Sequence, residues 1–597
     1  MRKTLAFILL IVLTQPLVFA QKHPKSQSLT EDQRIIHVLN RLGFGARPGD
    51  VERVKAMGVE KYIEQQLNPE KIPDTVAENK VRELSVLSMT TAELYEKYPQ
   101  PGQLLRQLQA RGKLPAEMSD DAAAKNNQNQ PPANPLDNEK NRQAIQEYYR
   151  ENGLQRPQRI IDELQASRIV RAVYSERQLQ EVMVDFWTNH FNIFANKGAD
   201  RWLLPAWDRD TIRPNALGKF STLLEETAQS PAMLFYLDNF QSVSPNANRN
   251  VGQRPNARRP LLDLLGGGRR RRDIAMEREP NMRPQQPAPP RPQQQRRGIN
   301  ENYARELMEL HTLGVDGGYT QKDVQEVARC FTGWTIFQPR GGAAAVNAMM
   351  GEAGRRNAGT FFFNARVHDD GEKTVLGHKI PAGGGIKDGL TVLDILAHHP
   401  STAKFISTKL VRHFVSDTPP QGLVDRVAAT FTKSDGDIRE TLKTIFFSKE
   451  FNSTEAYRVK IKRPFELVIS AIRALGGDTN GGPGTHQWIA RMGEPLYGFQ
   501  TPNGYSDTAE SWVNTGGLLE RMNFGLALAS NRVPGTQVSL AKTNGEQAKV
   551  MDDYLKTLLA GDISAATREA LLKQLEPSDP ATKVVGLILG TPEFQRQ

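Results

Sequence analysis

The chain has 597 residues, with 77 lysines and arginines against 67 aspartates and glutamates, a formal net charge of +10. Hydrophobic residues make up 38%, and 47 glycines and 37 prolines dilute them, a balance that describes a folded protein carrying loose segments and excludes a wholly disordered chain. A single cysteine, Cys330, excludes an internal disulfide framework and any cysteine-based zinc ribbon.

Residues 1–20 read as a secretory signal peptide: Arg2 and Lys3 are followed by an apolar run from Leu5 to Leu13 and a small-x-small cleavage site, Val18-Phe19-Ala20. Thr14, Gln15 and Pro16 interrupt that run and make it short for a membrane anchor, the alternative reading. The expectation is an exported protein, periplasmic or extracellular, without an integral span once the signal is removed, and with Cys330 buried. Residues 21–34 read as a linker, and 35–597 as one mainly helical domain with a small β-hairpin and long disordered insertions.

Three insertions are expected: 119–138, rich in Asn, Gln, Pro and Ala; 241–298, rich in Arg, Pro and Gln; and 341–358, rich in Gly and Ala. None can bury enough apolar surface to offset its chain entropy. The second holds thirteen arginines against Asp263, Asp273, Glu277 and Glu279, which is nine of the ten net charges. The rest of the chain is near neutral, so no basic face spreads over the fold as general nucleic-acid binding would need. The arginine-rich insertion reads either as a solubilising loop or as a tether to an anionic polymer or envelope surface.

The patterned segments follow in chain order. Leu179, Val182, Met183 and Phe186 share a helix face that His190 continues, with Asp185 and Asn189 on a second, polar row. A histidine there is either a satisfied core residue or a ligand. In Asn300–His311 the inward stripe is Tyr303, Leu307 and Leu310; Glu301, Arg305 and Glu309 form i,i+4 ion pairs, while Glu306 and His311 border the buried side. Thr320 and Asp323 make a capping box for a helix carrying Val324, Val327, Ala328 and Phe331, closed by Gly333. Thr360–Asn364 and Lys373–Leu376 flank Asp369-Asp370-Gly371 as a β-hairpin, with His368 and Asp369 at its tip. Phe405–Phe414 and Phe465–Leu475 are apolar-periodic, and Asp437 caps Ile438–Phe447. Pro502-Asn503-Gly504 is a turn in a loop that reads either as an aromatic loop packed onto the core or as a ligand or partner surface with Asn503, Tyr505 and Trp512 as its candidates.

No His-Glu-x-x-His, Walker-type loop, Gly-x-Ser-x-Gly elbow or dinucleotide glycine fingerprint occurs. Two readings of function stay open. One is a binding or assembly component acting with a separately encoded partner. The other is a metal-assisted enzyme, perhaps a hydrolase, with His190, Glu306 and His311 as acid–base groups and His190, Glu306, His311, His368 and Asp369 as ligands to a divalent metal.

Asn300–Thr320, followed by Ala328–Trp334, resembles the signature of the bacterial Domain of Unknown Function 1800 family. Supporting matches are His37–Gly45, Asp185–Asn192, His368–Gly377, Lys462–Glu466 and Pro502–Tyr505, so the resemblance covers nearly the whole chain beyond the signal. It implies an exported bacterial protein with no established activity. It also implies a partner from a second exported family, Domain of Unknown Function 1501, which is similar to sulfatases and alkaline phosphatases. It assigns no site residue.

Overall fold

A computed structural model describes residues 28–110, 139–246, 298–337, 357–540 and 547–597. The signal (1–20), the 119–138 insertion, and the greater parts of the 241–298 and 341–358 insertions lie outside the described residues, and the tether reading lies there with them. The architecture is mainly α, with three two-stranded antiparallel sheets. Among the described residues no helix is long and apolar enough to cross a membrane.

The first helix, α1 (Glu31–Arg41), starts inside the segment read as a linker, because Thr30 and Gln33 close a reciprocal capping box. Helices α2 (Pro101–Ala110) and α3 (Glu139–Glu151) pack together around their own small core of Leu104, Leu105, Leu108, Ile145 and Tyr149. Two central helices follow, α4 (Gln158–Tyr174) and α5 (Gln178–His190), each buried over most of its circumference. Beyond the undescribed 247–297, whose base is pinned by Val243 N–H donating to the Gly298 carbonyl at 3.2 Å, comes α6 (Glu301–Glu306).

Helix α7 (Gln321–Cys330) opens on the expected capping box: the Thr320 hydroxyl accepts from Asp323 N–H at 3.3 Å, and the Asp323 carboxylate accepts from Thr320 N–H at 2.9 Å. It ends at Gly333, whose φ of +80° and 2.6 Å virtual Cβ contact with the Asn364 carbonyl require glycine. Helices α8 (Ile386–Ala397), α9 (Pro400–Phe414), α10 (Gln421–Lys433) and α11 (Ile438–Phe446) pack in sequence, the last capped by Asp437 accepting from Glu440 N–H at 3.0 Å. All eleven residues of α12 (Pro464–Ala474) are buried, which places it at the centre against α4. The chain closes with α13 (Thr515–Ala529) crossing α14 (Ala581–Leu589) where Gly525 meets the Gly586 carbonyl, leaving only 3.1 Å to it for a Cβ on Gly525. One contiguous apolar core runs from Ile35 to Phe594.

The strands correct the expected hairpin. Strand β1 (Trp334–Ile336) takes β2 (Phe361–Phe363) as its partner, and β3 (Lys373–Val375) pairs with β4 (His378–Ile380). The tight turn is Leu376-Gly377, both at positive φ, the geometry that matches strand twist, and Asp369-Asp370-Gly371 is a bend before β3 in which Asp369 is buried and Asp370 and Gly371 are exposed. The third sheet joins Asp478–Thr479 to Thr536–Gln537.

The Glu301–Arg305–Glu309 ion pairs also do not form. Arg305 donates to Gln321 at 2.7 Å, Gln321 to Glu301 at 2.7 Å, and Glu309 accepts from the Tyr319 hydroxyl at 3.0 Å. Gln321 thus takes the place of the Glu301–Arg305 contact, and beyond it a π-turn over Leu307–Thr312, in which Leu313 N–H reaches back five residues to the Met308 carbonyl at 2.7 Å, slips the helical register at Glu309.

Candidate functional site

That π-turn turns His311 inward against the last turn of α5, which carries His190. The His190 Nε2 lies 3.1 Å from the His311 carbonyl. A carbonyl only accepts, so Nε2 carries the proton and Nδ1 presents a bare lone pair. Nδ1 of His190 and Nε2 of His311 are both buried and have no partner among the described residues. The two ring centroids are 6.2 Å apart, with the Phe191 ring 4.5 Å from His190 and 5.0 Å from His311. Both histidines thus sit in the core, yet neither is fully satisfied as an ordinary core histidine would be.

Helix α9 supplies the facing wall. Phe405, Lys409, Arg412 and His413 share one side of it at helical spacing. The Phe405 ring is 6.2 Å from His190, and the Lys409 ammonium nitrogen is 5.9 Å from the Phe405 centroid. His413 lies 5.3 Å from Phe186. Lys409 is partly exposed and has no hydrogen bond or ion pair among the described residues, and the Nε of Arg412 is buried without a partner. Burial drops His190 well below the ordinary imidazole range and His311 to about 3, with the charge of Lys409 pushing both the same way. Burial also lowers Lys409; Arg412 adds to that and Asp507 opposes it. Glu306, half-buried, is raised by burial and by Glu309, and its carboxylate has no ion-pair partner among the described residues.

Two asparagines at the end of α5 clamp the 497–507 loop beside this centre. Asn189 donates to the Tyr505 carbonyl at 2.9 Å and accepts from its N–H at 2.7 Å, while Asn192 donates to the carbonyls of Phe499 and Thr501 at 3.0 and 2.8 Å. Gly504, at φ +70°, passes so close that a Cβ would sit 2.2 Å from the Asn189 carbonyl. The loop's aromatics serve its own structure. The Tyr505 hydroxyl donates to the Pro495 carbonyl at 2.8 Å, and Trp512 is buried with its indole N–H on the Ser506 carbonyl at 3.0 Å. Trp512 is therefore not a stacking surface; Asn503 is exposed.

His368 and Asp369 belong to a different cluster and are not at a loop tip. His368 contacts the Thr332 carbonyl through Nδ1 at 2.7 Å and Asp388 through Nε2 at 3.2 Å. Lys373 donates to Asp388 at 2.6 Å and to the carbonyls of Gly371, at 2.9 Å, and Asp369. Asp369 pairs with Arg329 at 2.9 Å. The corner is drawn inward because burial of Lys373 requires its three acceptors. Among the described residues no three His, Cys, Asp or Glu side chains group so as to hold a metal, so the five ligand candidates do not form one set.

A network of charges that the sequence did not point to lies beneath Asn189. Asp185 accepts from Arg168 at 2.6 Å and pairs with Arg463, which donates to Glu494 at 2.7 Å. Burial raises Glu494 to about 7 against the pull of Arg463. The polar row Asp185/Asn189 is thus spent on packing helices and loop, around a cavity of about 30 Å³, enough for a water.

The large opening is elsewhere: a cleft of about 840 Å³ between the α2–α3 pair and Ala195–Trp202. Arg142, Arg156 and Arg201 line it, with Ile145, Tyr149 and Trp202 as apolar wall and Gln100, Gln146, Gln158 and Asn196 as amides. No acid, histidine, cysteine, serine or threonine is among its described lining residues. None of the three arginines has a carboxylate partner among the described residues, and Arg201 donates to Asn196 at 2.7 Å.

Fold and site together define a large helical protein with an unpartnered histidine–lysine centre in its core and a cationic cleft at its side. The chain belongs to the family described as Protein of unknown function (DUF1800), whose model matches residues 37–596. No curated protein and no solved structure matches it.

Proposed function

We propose that the protein acts by binding, as an exported component that holds an anionic group of a separately encoded partner or its substrate in the arginine cleft. The observation that carries this reading is the cleft's described lining: three guanidinium groups with no carboxylate in ion-pair contact, amides and aromatics, and no acid, histidine, cysteine, serine or threonine. Guanidinium forks recognise carboxylate, sulfate and phosphate in bidentate fashion, and about 840 Å³ is ample for a small ligand or a side group. Export is supported by the signal-like residues 1–20, and the partner expected is the 1501-type family.

Calorimetric titration of the purified protein with carboxylated, sulfated and phosphorylated oligosaccharides and peptides tests the reading. One of these classes binds, is recovered unaltered, and loses about 100-fold or more in affinity to the combined R142Q, R156Q and R201Q variant, since each charge-assisted bond contributes about 1.5–3 kcal/mol. Affinity unchanged in that variant would reject it.

A second reading, a metal-assisted enzyme, draws on the two unpartnered imidazole nitrogens of His190 and His311. Elemental analysis decides it: a stoichiometric metal lost in H190F supports it, and metal-free active protein removes it.

A further inference from the structure

We propose that the ligand of the arginine cleft is a small amphipathic acid, an anionic head group joined to an aliphatic or aromatic body, with the head on the guanidinium groups and the body on an apolar floor beside them. This ligand class rests on the binding reading above and sharpens it from an anion to an amphiphile.

The cleft lining divides by depth. Its charged and amide residues are all exposed or half-buried, whereas its buried residues are Ile145, Tyr149, Pro157, Ala195 and Trp202. The two of these that carry polar side-chain atoms turn them away. The Tyr149 hydroxyl donates to the Pro99 carbonyl, and the Trp202 indole N–H donates to the Tyr98 carbonyl at 2.9 Å. What both rings leave for the cleft is therefore carbon. Tyr95 stacks on Trp202 with centroids 5.2 Å apart and fixes that ring in place.

Room for a body lies beside the head-group site. Gly102, on the first turn of α2, lines the cleft, and a Cβ there would meet nothing within 4 Å. Arg201 is held towards the same space by its bond to Asn196 at 2.7 Å, while Arg142 comes from α3 and Arg156 from the link to α4. Cations alone hold any anion of suitable charge. Water lying over the carbon floor is released with gain only by an apolar body, so the floor selects among anions.

The test is calorimetric titration of the purified protein with two series, straight-chain carboxylates and alkyl sulfates of four to eight carbons. The better-held series identifies the head group, and its affinity is expected to rise about fourfold with each methylene until the floor is covered. 1-Octanol, with the chain and no charge, should bind about 100-fold more weakly than the eight-carbon anion, because charge-assisted hydrogen bonds are lost. G102L lays a side chain over the floor and should flatten the series while leaving four-carbon binding close to wild type. Leucine is a better helix former than glycine, so that variant keeps its fold. Affinities that do not change with chain length, yet are lost in the combined R142Q, R156Q and R201Q variant, would overturn the amphiphile and leave the binding reading standing. So would failure of both series where a hydrophilic anion binds. Absence of arginine-dependent binding by every anion would overturn both readings. A rising series that G102L leaves unchanged would overturn the placement of the body on this floor.

Discussion

Lys373 and Lys409 are both lysines set beside histidines inside a helical protein, and their surroundings differ in one ingredient. Around Lys373, Asp388 supplies a carboxylate that meets both the ammonium and His368, and backbone carbonyls complete the coordination. Around Lys409 stand His190, His311, His413 and Arg412, with no carboxylate in bonding contact among the described residues. A buried charge that is fully coordinated holds the fold; the same charge left open lowers stability and is available for chemistry. The sequence offered His368 and His190 alike as metal-ligand candidates, and this difference in partners separates them.

The comparison is most sharply broken at Asp388. D388A strands Lys373 and His368 in the core and is expected to cost about 3–5 kcal/mol in denaturant unfolding, the range for removing one partner of a buried ion pair. A loss under 1 kcal/mol would mean that the Lys373 cluster is no more closed than the other.

Acid sensitivity comes next. His311 has a folded-state pKa of about 3 against an ordinary 6.5, so between these values the unfolded chain binds a proton that the folded protein refuses. Stability is therefore lost as pH falls below 6.5, and the loss is complete near 3. H311N should flatten that part of the pH–stability curve. A curve of wild-type slope would show that His311 is not held neutral.

G504A places a methyl group against the Asn189 carbonyl at an unfavourable φ, and about 2 kcal/mol of destabilisation is expected, with higher proteolytic susceptibility of the 497–507 loop. T320A removes an exposed cap and should cost about 1 kcal/mol. The smallest effect is predicted for K409M. With no hydrogen bond or ion pair to lose among the described residues and only a 5.9 Å approach to the Phe405 ring, stability should change by less than about 0.5 kcal/mol, measured by thermal unfolding. A drop like that of D388A would mean that Lys409 is a structural ion and would erase the contrast.

Much of this was legible in the sequence. The capping box at Thr320, the cap at Asp437, the helices they open and the mainly helical class follow from local spacing, because a cap is a three-residue event. His190 and His311 were legible as borderline positions, and the structure does bring them together. The hairpin pairing was misread because β1, residues 334–336, had no strand signal of its own, and pairing is decided by the partner. Lys409, Arg412, Arg463 and Glu494 were passed over because an apolar period treats the polar residues between its members as solvent-facing.

The sequence by itself determined the family, the helical class, the helix starts at Thr320 and Asp437 and the seclusion of nine of the ten net charges in one insertion. Those depend on contacts within a few residues or on composition. Only the tertiary structure decided which titratable groups are satisfied. Whether Asp388 reaches Lys373, or no carboxylate among the described residues bonds Lys409, depends on segments that are distant or slip register at a π-turn, and the Coulomb and desolvation energies that separate a closed cluster from an open one depend on those distances.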